Sequence, residues 1–168
     1  GDIFESGSTE CGYIPPTPTK FSAIYSGGNS LNIICNGSST LTLSEVRQSG
    51  YTYSAMTSGI IGECVEALAA STFQGCSSLT SITIPNTVTE IGMQAFTNCS
   101  GLTSITIPDS VTSMGNSTFS SCSSLRNAIV PNSVTSMGMN MFASCTSLTS
   151  VTISSGMTSI TRGYLYNC

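Results

Sequence analysis

The residues able to do chemistry in this 168-residue chain are few, and most are thiols. Five of the eight cysteines, Cys76, Cys99, Cys122, Cys145 and Cys168, recur at a constant interval of 23 residues. A cysteine nucleophile needs a neighbouring base or cation to form its thiolate. The sequence contains no histidine, so neither a Cys-His pair nor a Ser-His-Asp triad can be assembled. Zinc would have to be held by cysteines alone or with carboxylates. Ligands at one fixed interval make a line, not a tetrahedron, and no metal or cofactor is expected. Disulfides along that line are equally disfavoured. Equivalent Cα atoms in stacked units sit about 4.8 Å apart with parallel side chains, whereas a disulfide brings Cβ atoms to about 3.8 Å on converging vectors. The ladder is therefore read as free thiols acting as small buried apolar groups. Cys11, Cys35 and Cys64 fall outside it, and a disulfide among them stays open.

The carboxylates offer little more. Beyond Glu66 the only acidic residues are Glu90 and Asp109, at non-equivalent repeat positions, while Glu45, Glu63 and Glu66 fall near the expected cap. No Gly-rich phosphate loop follows a strand, and the chain is not expected to be an enzyme. Only 7% of residues are charged, and Lys20, Arg47, Arg126 and Arg162 are the sole basic side chains against a net charge of −4. No patch can neutralise several phosphates, which argues against nucleic acid and anionic lipid as partners. No run of 18 apolar residues exists for direct membrane insertion. The first residues lack the basic and apolar segments of a secretory signal, which does not exclude secretion from a processed precursor.

The elements that position these residues are repeats. Phe73, Phe96, Phe119 and Phe142 share the 23-residue interval, as do Leu79, Leu102, Leu125 and Leu148, and Ile84, Ile107, Val130 and Ile153. Such a period marks stacked supersecondary units, none able to bury its apolar face alone. In the copy beginning at Cys76, Leu79, Ile82 and Ile84 form the L-x-x-L-x-L strand pattern of leucine-rich repeats. Pro85, Pro108 and Pro131 end the strand. Val88 and Ile91 point inward from a short second segment, matched by Val111 with Met114, Val134 with Met137, and Met157 with Ile160. The methionines fill core rather than bind metal. Gly92, Gly115 and Gly138 mark a bend that needs either a positive φ or close backbone approach.

The fold expected is a leucine-rich-repeat solenoid of about 23 residues per repeat. It carries a parallel β-sheet on one face, short 3₁₀ or helical turns on the other, and a small N-terminal cap. Residues 1–20, rich in Gly and Pro, read as a flexible tail or tether. Residues 21–52 read as the cap or a divergent coil, with two short strands around Leu31–Ile33 and Leu41–Leu43 and a turn at Asn36-Gly37. Residues 53–168 form the array, which ends where another strand is due and so reads as truncated or continuing.

Ser110-Val111-Thr112-Ser113-Met114-Gly115, Phe119, Cys122-Ser123-Ser124-Leu125 and Ser147-Leu148-Thr149-Ser150-Val151-Thr152-Ile153 resemble the leucine-rich repeats of BspA-like cell-surface proteins. The resemblance covers Tyr53 to Cys168. It implies a secreted or cell-surface location, a non-enzymatic adhesion role, and a host or microbial surface or matrix protein as partner. Ala128, Tyr164 and Leu165 depart from its pattern at packing positions. Along the expected sheet, Ser81, Thr83, Ser104, Thr106, Asn127, Ile129, Ser150 and Thr152 point outward, with Arg126 beside them, and together make the candidate protein-binding face. A structural spacer or assembly element of a larger envelope protein is the alternative, and a glycan-binding module a third. Self-association through the last coil is a further expectation. Asn36, Asn98 and Asn116 each begin a glycan acceptor pattern.

Overall fold

The computed structural model describes residues 21–26, 30–35, 39–41, 53–153, 155 and 163–168. The tail expected over residues 1–20, the Asn36-Gly37 turn, and Met157 with Ile160 lie outside these. Two stacks of parallel strands wind through the array. The first comprises β2 (Ser30–Cys35), β4 (Ser58–Ile60), β6 (Ser81–Thr83), β8 (Ser104–Thr106), β10 (Asn127–Val130) and β12 (Ser150–Ile153). The second comprises β3 (Ser39–Leu41), β5 (Val65–Leu68), β7 (Glu90–Ile91), β9 (Ser113–Met114) and β11 (Ser136–Met137), hydrogen-bonded in that order. β1 (Phe21–Ser26) pairs antiparallel with β2, Phe21 opposite Cys35, and closes the first edge of the array.

Register follows the repeat. Ser104 lies opposite Asn127 and Asn127 opposite Ser150, so each outward column and each inward column continues from coil to coil. In the first stack the alternation of side chains buries Ile82, Ile105 and Ala128 in one inward column and Ile84, Ile107 and Val130 in another. In the second, Leu68, Ile91, Met114 and Met137 line up and are all buried. Where Gly59 replaces isoleucine, Ile82 leans over the gap: a Cβ on Gly59 would lie 3.4 Å from its side chain.

The third side of each coil corrects the sequence reading. The 3₁₀ or helical turns expected there do not form. Among the described residues the only helical turn is Tyr53–Ala55, at the corner preceding β4. The third side is instead a series of reverse turns whose alternate amides bond to the next coil. Ser71, Phe73 and Gly75 donate to the carbonyls of Met93, Ala95 and Thr97 at 2.9, 2.7 and 2.8 Å. Gln94, Phe96 and Asn98 repeat this toward Asn116, Thr118 and Ser120. A helix would direct those amides along its own chain. Two left-handed residues per coil also forbid one: Gln94 and Asn98 have φ of 58° and 62°, and Ser117 and Ser121 have 57° and 61°.

Between these left-handed residues stands the phenylalanine column. Phe73, Phe96, Phe119 and Phe142 are fully buried and stack nearly parallel, with centroids 5.2, 5.3 and 5.7 Å apart. Beside it runs the thiol column. Cys76, Cys99, Cys122 and Cys145 are free and buried, as the spacing argument requires, and Cys168 is free and exposed. Three of the buried thiols donate across the coils: Cys99 to the Phe73 carbonyl at 3.2 Å, Cys122 to that of Phe96 at 3.2 Å, Cys145 to that of Phe119 at 3.1 Å. Cys64, off the ladder, is disulfide-bonded. Gly115 serves close approach, not positive φ, because a Cβ there would lie 2.6 Å from Met93 Cα.

Candidate functional site

The first strand stack carries all the outward residues singled out from the sequence. Ser81 and Thr83 are exposed on β6, Ser104 and Thr106 on β8, Asn127 and Ile129 on β10, and Ser150 and Thr152 on β12, with Arg126 exposed immediately before β10. β8, β10 and β12 form one three-stranded sheet, while β6 belongs to the sheet of β1, β2 and β4. The seam between β6 and β8 is loose. Thr103 donates to the Thr80 carbonyl at 3.5 Å, against 2.8 Å for Thr80 to Thr57 and for Thr149 to Arg126. At the same seam Gly101 stands where Ser78, Ser124 and Ser147 stand in neighbouring coils, and a Cβ on it would lie 2.7 Å from the Ser77 carbonyl oxygen. The second stack and the reverse turns run through this level unbroken.

Exposed hydroxyls divide into two sets. Those at the corners are engaged with backbone: Thr80 donates to the Thr57 carbonyl at 2.9 Å, Thr89 to that of Glu66 at 3.2 Å, Thr112 to that of Thr89 at 3.2 Å, and Thr149 to that of Arg126 at 2.9 Å. They tie coil to coil. On the sheet face the hydroxyls of Ser81, Thr83, Ser104, Thr106 and Thr152 have no hydrogen-bond partner among the described residues. Ser150 is the exception, donating to Asn127 Oδ1 at 2.8 Å.

Ile129 interrupts this hydroxyl surface. It is 62% exposed, the largest exposure of an aliphatic side chain among the described residues. Thr106 and Thr152 flank it on the neighbouring strands. A shallow depression of about 410 Å³ opens beside it, lined also by Pro131, Asp109 and Asn132. Asp109 and Asn132, on the corners that follow β8 and β10, were not joined to the face by the sequence reading. Their positions three residues beyond Thr106 and Ile129 carry the signal that could have found them. A second depression of comparable size lies on the other stack, lined by Glu63, Cys64, Glu66, Thr87 and Thr89.

The interior thiols Cys99, Cys122 and Cys145 are poorly suited to be reactive centres. Its hydrogen-bonding neighbour Cys76, together with burial, drives the Cys99 thiol far above the ordinary range; burial does the same for Cys122 and pushes Cys145 up to about 11. Thiols held neutral this strongly are poor nucleophiles at neutral pH. Among the described residues no cluster of three or more His, Cys, Asp or Glu could hold a metal ion. No helix among them is long and apolar enough to cross a membrane.

The stacked coils, the L-x-x-L-x-L strands and the phenylalanine and cysteine columns define a leucine-rich-repeat solenoid. The family model for the BspA type leucine rich repeat region matches residues 44–168 in six copies, and the chain belongs to that family. Among solved structures it is similar to a leucine rich cell surface protein of Faecalibacterium prausnitzii A2-165, with 28% identity and a TM-score of 0.64, over 94% of this chain and 47% of that one. It is also similar to the leucine rich repeat protein of T. pallidum, with 27% identity and a TM-score of 0.60, over 82% of this chain and 71% of that one. The pneumococcal vaccine antigen PcpA shares the fold at 19% identity and a TM-score of 0.50, over 88% of this chain and 51% of its own. No curated protein sequence matches the chain.

Proposed function

We propose that this chain is a non-enzymatic adhesion module of a secreted or cell-surface protein, binding another protein through the face of β6, β8, β10 and β12. The observation that carries the reading is the division among hydroxyls. Corner threonines are engaged with the coil before them, while five sheet-face hydroxyls have no partner among the described residues. A repeated surface of free donors and acceptors with Ile129 as an exposed aliphatic anchor suits a protein ligand held by many weak contacts. The likeness to a cell surface protein supports the location. Glycan recognition is less well served, because no aromatic side chain stands among the outward residues of these strands.

The test is binding of the intact chain to a panel of purified matrix and cell-surface proteins, with Thr106→Trp as the probe of the face. Thr106 is exposed, so the variant should keep the circular dichroism and melting temperature of the parent. Saturable binding that weakens tenfold or more in the variant is the expected result. Binding that ignores the substitution would favour the spacer or assembly role, and absence of saturable binding across the panel would count against adhesion.

A further inference from the structure

The depression beside Ile129 has a chemistry of its own. Its exposed aliphatic side chain is that of Ile129; Val130 and Pro131, which also line it, are buried. Its sides are the hydroxyls of Thr106 and Thr152, neither engaged within the chain. Its far end holds one carboxylate, Asp109, beside the Asn132 amide. The adjacent equivalent corners carry asparagine, Asn86 and Asn132; the other carboxylate at this repeat position, Glu63, lies two coils earlier and outside the lining. Asp109 is exposed and has neither an ion pair nor a hydrogen bond within the chain among the described residues. Arg126, exposed at the other end of β10, lies outside the lining.

We infer that this depression is the specificity site of the sheet face, and that it takes an extended polypeptide segment presenting an aliphatic side chain to Ile129 and a lysine or arginine to Asp109. The inference rests on reading the sheet face as a binding surface and adds the chemistry of the ligand. Asp109 lies three residues beyond Thr106, the outward neighbour of Ile129, on the corner that follows β8, which puts it within roughly 10 Å of chain. An extended peptide advances about 3.3 Å per residue. The basic side chain therefore belongs two or three positions from the aliphatic one, with the hydroxyls of Thr106 and Thr152 and the Asn132 amide meeting the peptide backbone between them. A phosphorylated or nucleic acid ligand would bring like charge to Asp109, and a sugar ring would find no aromatic side chain in the lining to stack on.

A phage-displayed library of random dodecapeptides, panned on the intact chain, tests this directly. Enriched sequences should carry Lys or Arg two or three positions from Val, Ile or Leu. A synthetic enriched peptide should lose about tenfold in affinity to Ile129→Ser. It should lose about fivefold to Asp109→Asn, as expected for an exposed ion pair, and the Asp109→Asn complex should be less sensitive to salt than the parent. Glu90→Gln and Met93→Ser, exposed elsewhere, serve as controls and should leave affinity unchanged. Peptides without a basic residue, or peptides indifferent to both substitutions, would overturn the inference. So would a concentration-dependent dimer of the chain that Ile129→Ser abolishes, since a second copy would then be the occupant. Failure here with binding still sensitive to Thr106→Trp leaves the adhesion reading standing; loss of every protein ligand removes both.

Discussion

At the position of Phe73 every described coil through Phe142 carries phenylalanine, fully buried; at the position of Thr83 the residue varies between isoleucine (Ile60, Ile129) and threonine (Thr83, Thr106, Thr152). Both positions belong to the same 23-residue unit, and both form columns running the length of the array. The difference lies in what each side chain meets in the coils above and below. A ring in the phenylalanine column is enclosed by two like rings about one strand spacing away, so any other shape leaves a void or a clash. A residue on the sheet face meets its column neighbours through their sides only and has solvent in front. Repetition on the turn side is thus a packing requirement, and variation on the sheet side costs little stability. A repeat protein of this design holds its fold constant in one set of columns and is free to vary its surface in another.

Paired truncations should break or sharpen that contrast most strongly. Phe119→Ala removes the middle of a stacked column and should destabilise the chain by about 3–5 kcal/mol. Because coils are stabilised by their neighbours, the loss should spread to hydrogen-exchange protection in the coils on both sides. Ile129→Ala, a comparable loss of apolar volume on the sheet face, should change stability by less than about 0.5 kcal/mol. Urea denaturation of the two variants measures both. Equal costs would mean that the sheet face is buried against something in the folded protein.

These columns explain what was legible beforehand. Inward positions repeat because packing repeats, so Leu79, Leu102 and Leu125 announced the stacking, and the regular cysteine interval announced free thiols. The second parallel sheet was read only as a short inward-pointing segment, since strands of two residues such as Glu90–Ile91 are too brief to show an alternation. The helical outer turns were misread because Phe and Cys three apart also fit one helical face. What decides the conformation is backbone direction: amides of Phe96 and Asn98 pointing to the next coil, with Gln94 and Asn98 left-handed. Side-chain spacing does not encode that. Asp109 was missed for a similar reason: strand alternation marks the outward positions up to Thr106, and the corner three residues further on, which brings Asp109 to the depression beside Ile129, lies past that alternation.

The thiol column gives the comparison a pH dependence. Burial raises the Cys145 pKa to about 11 in the folded chain, whereas an unfolded cysteine titrates near 8.5. Below about pH 8.5 both states keep the proton and the stabilisation is fully present. As pH rises, the unfolded chain releases its proton first, and the contribution is lost progressively through pH 11. Cys145→Ala should be less stable than the parent at pH 7 by about 1–2 kcal/mol, through the lost volume and the lost bond to the Phe119 carbonyl. That gap should narrow between pH 8.5 and 11. Sheet-face variants such as Ser104→Ala, which remove no titrating group, should hold a constant offset from the parent over the same range. A Cys145→Ala gap that stayed constant would show that the thiol is not held neutral by the fold.

The smallest effect expected is a gain, and it comes from the left-handed positions of the turn side. Ser121 has φ of 61° and Gly75 occupies the equivalent position two coils earlier with φ of 79°, so the backbone there already accepts glycine. A left-handed residue with a Cβ carries a cost of roughly 1–2 kcal/mol. Glycine removes it, while losing more chain entropy on folding, roughly 0.5–1 kcal/mol. Ser121→Gly should therefore stabilise the array by about 0.5 kcal/mol, read as a higher urea midpoint at unchanged slope. Ser104→Gly, the same chemical change in a sheet-face strand of ordinary backbone, has no strain to relieve and should lose about 0.5–1 kcal/mol through entropy alone. Opposite signs from one substitution would place the strain of the repeat in its turns; a loss at both sites would mean that the amides of the outer turn relieve it already.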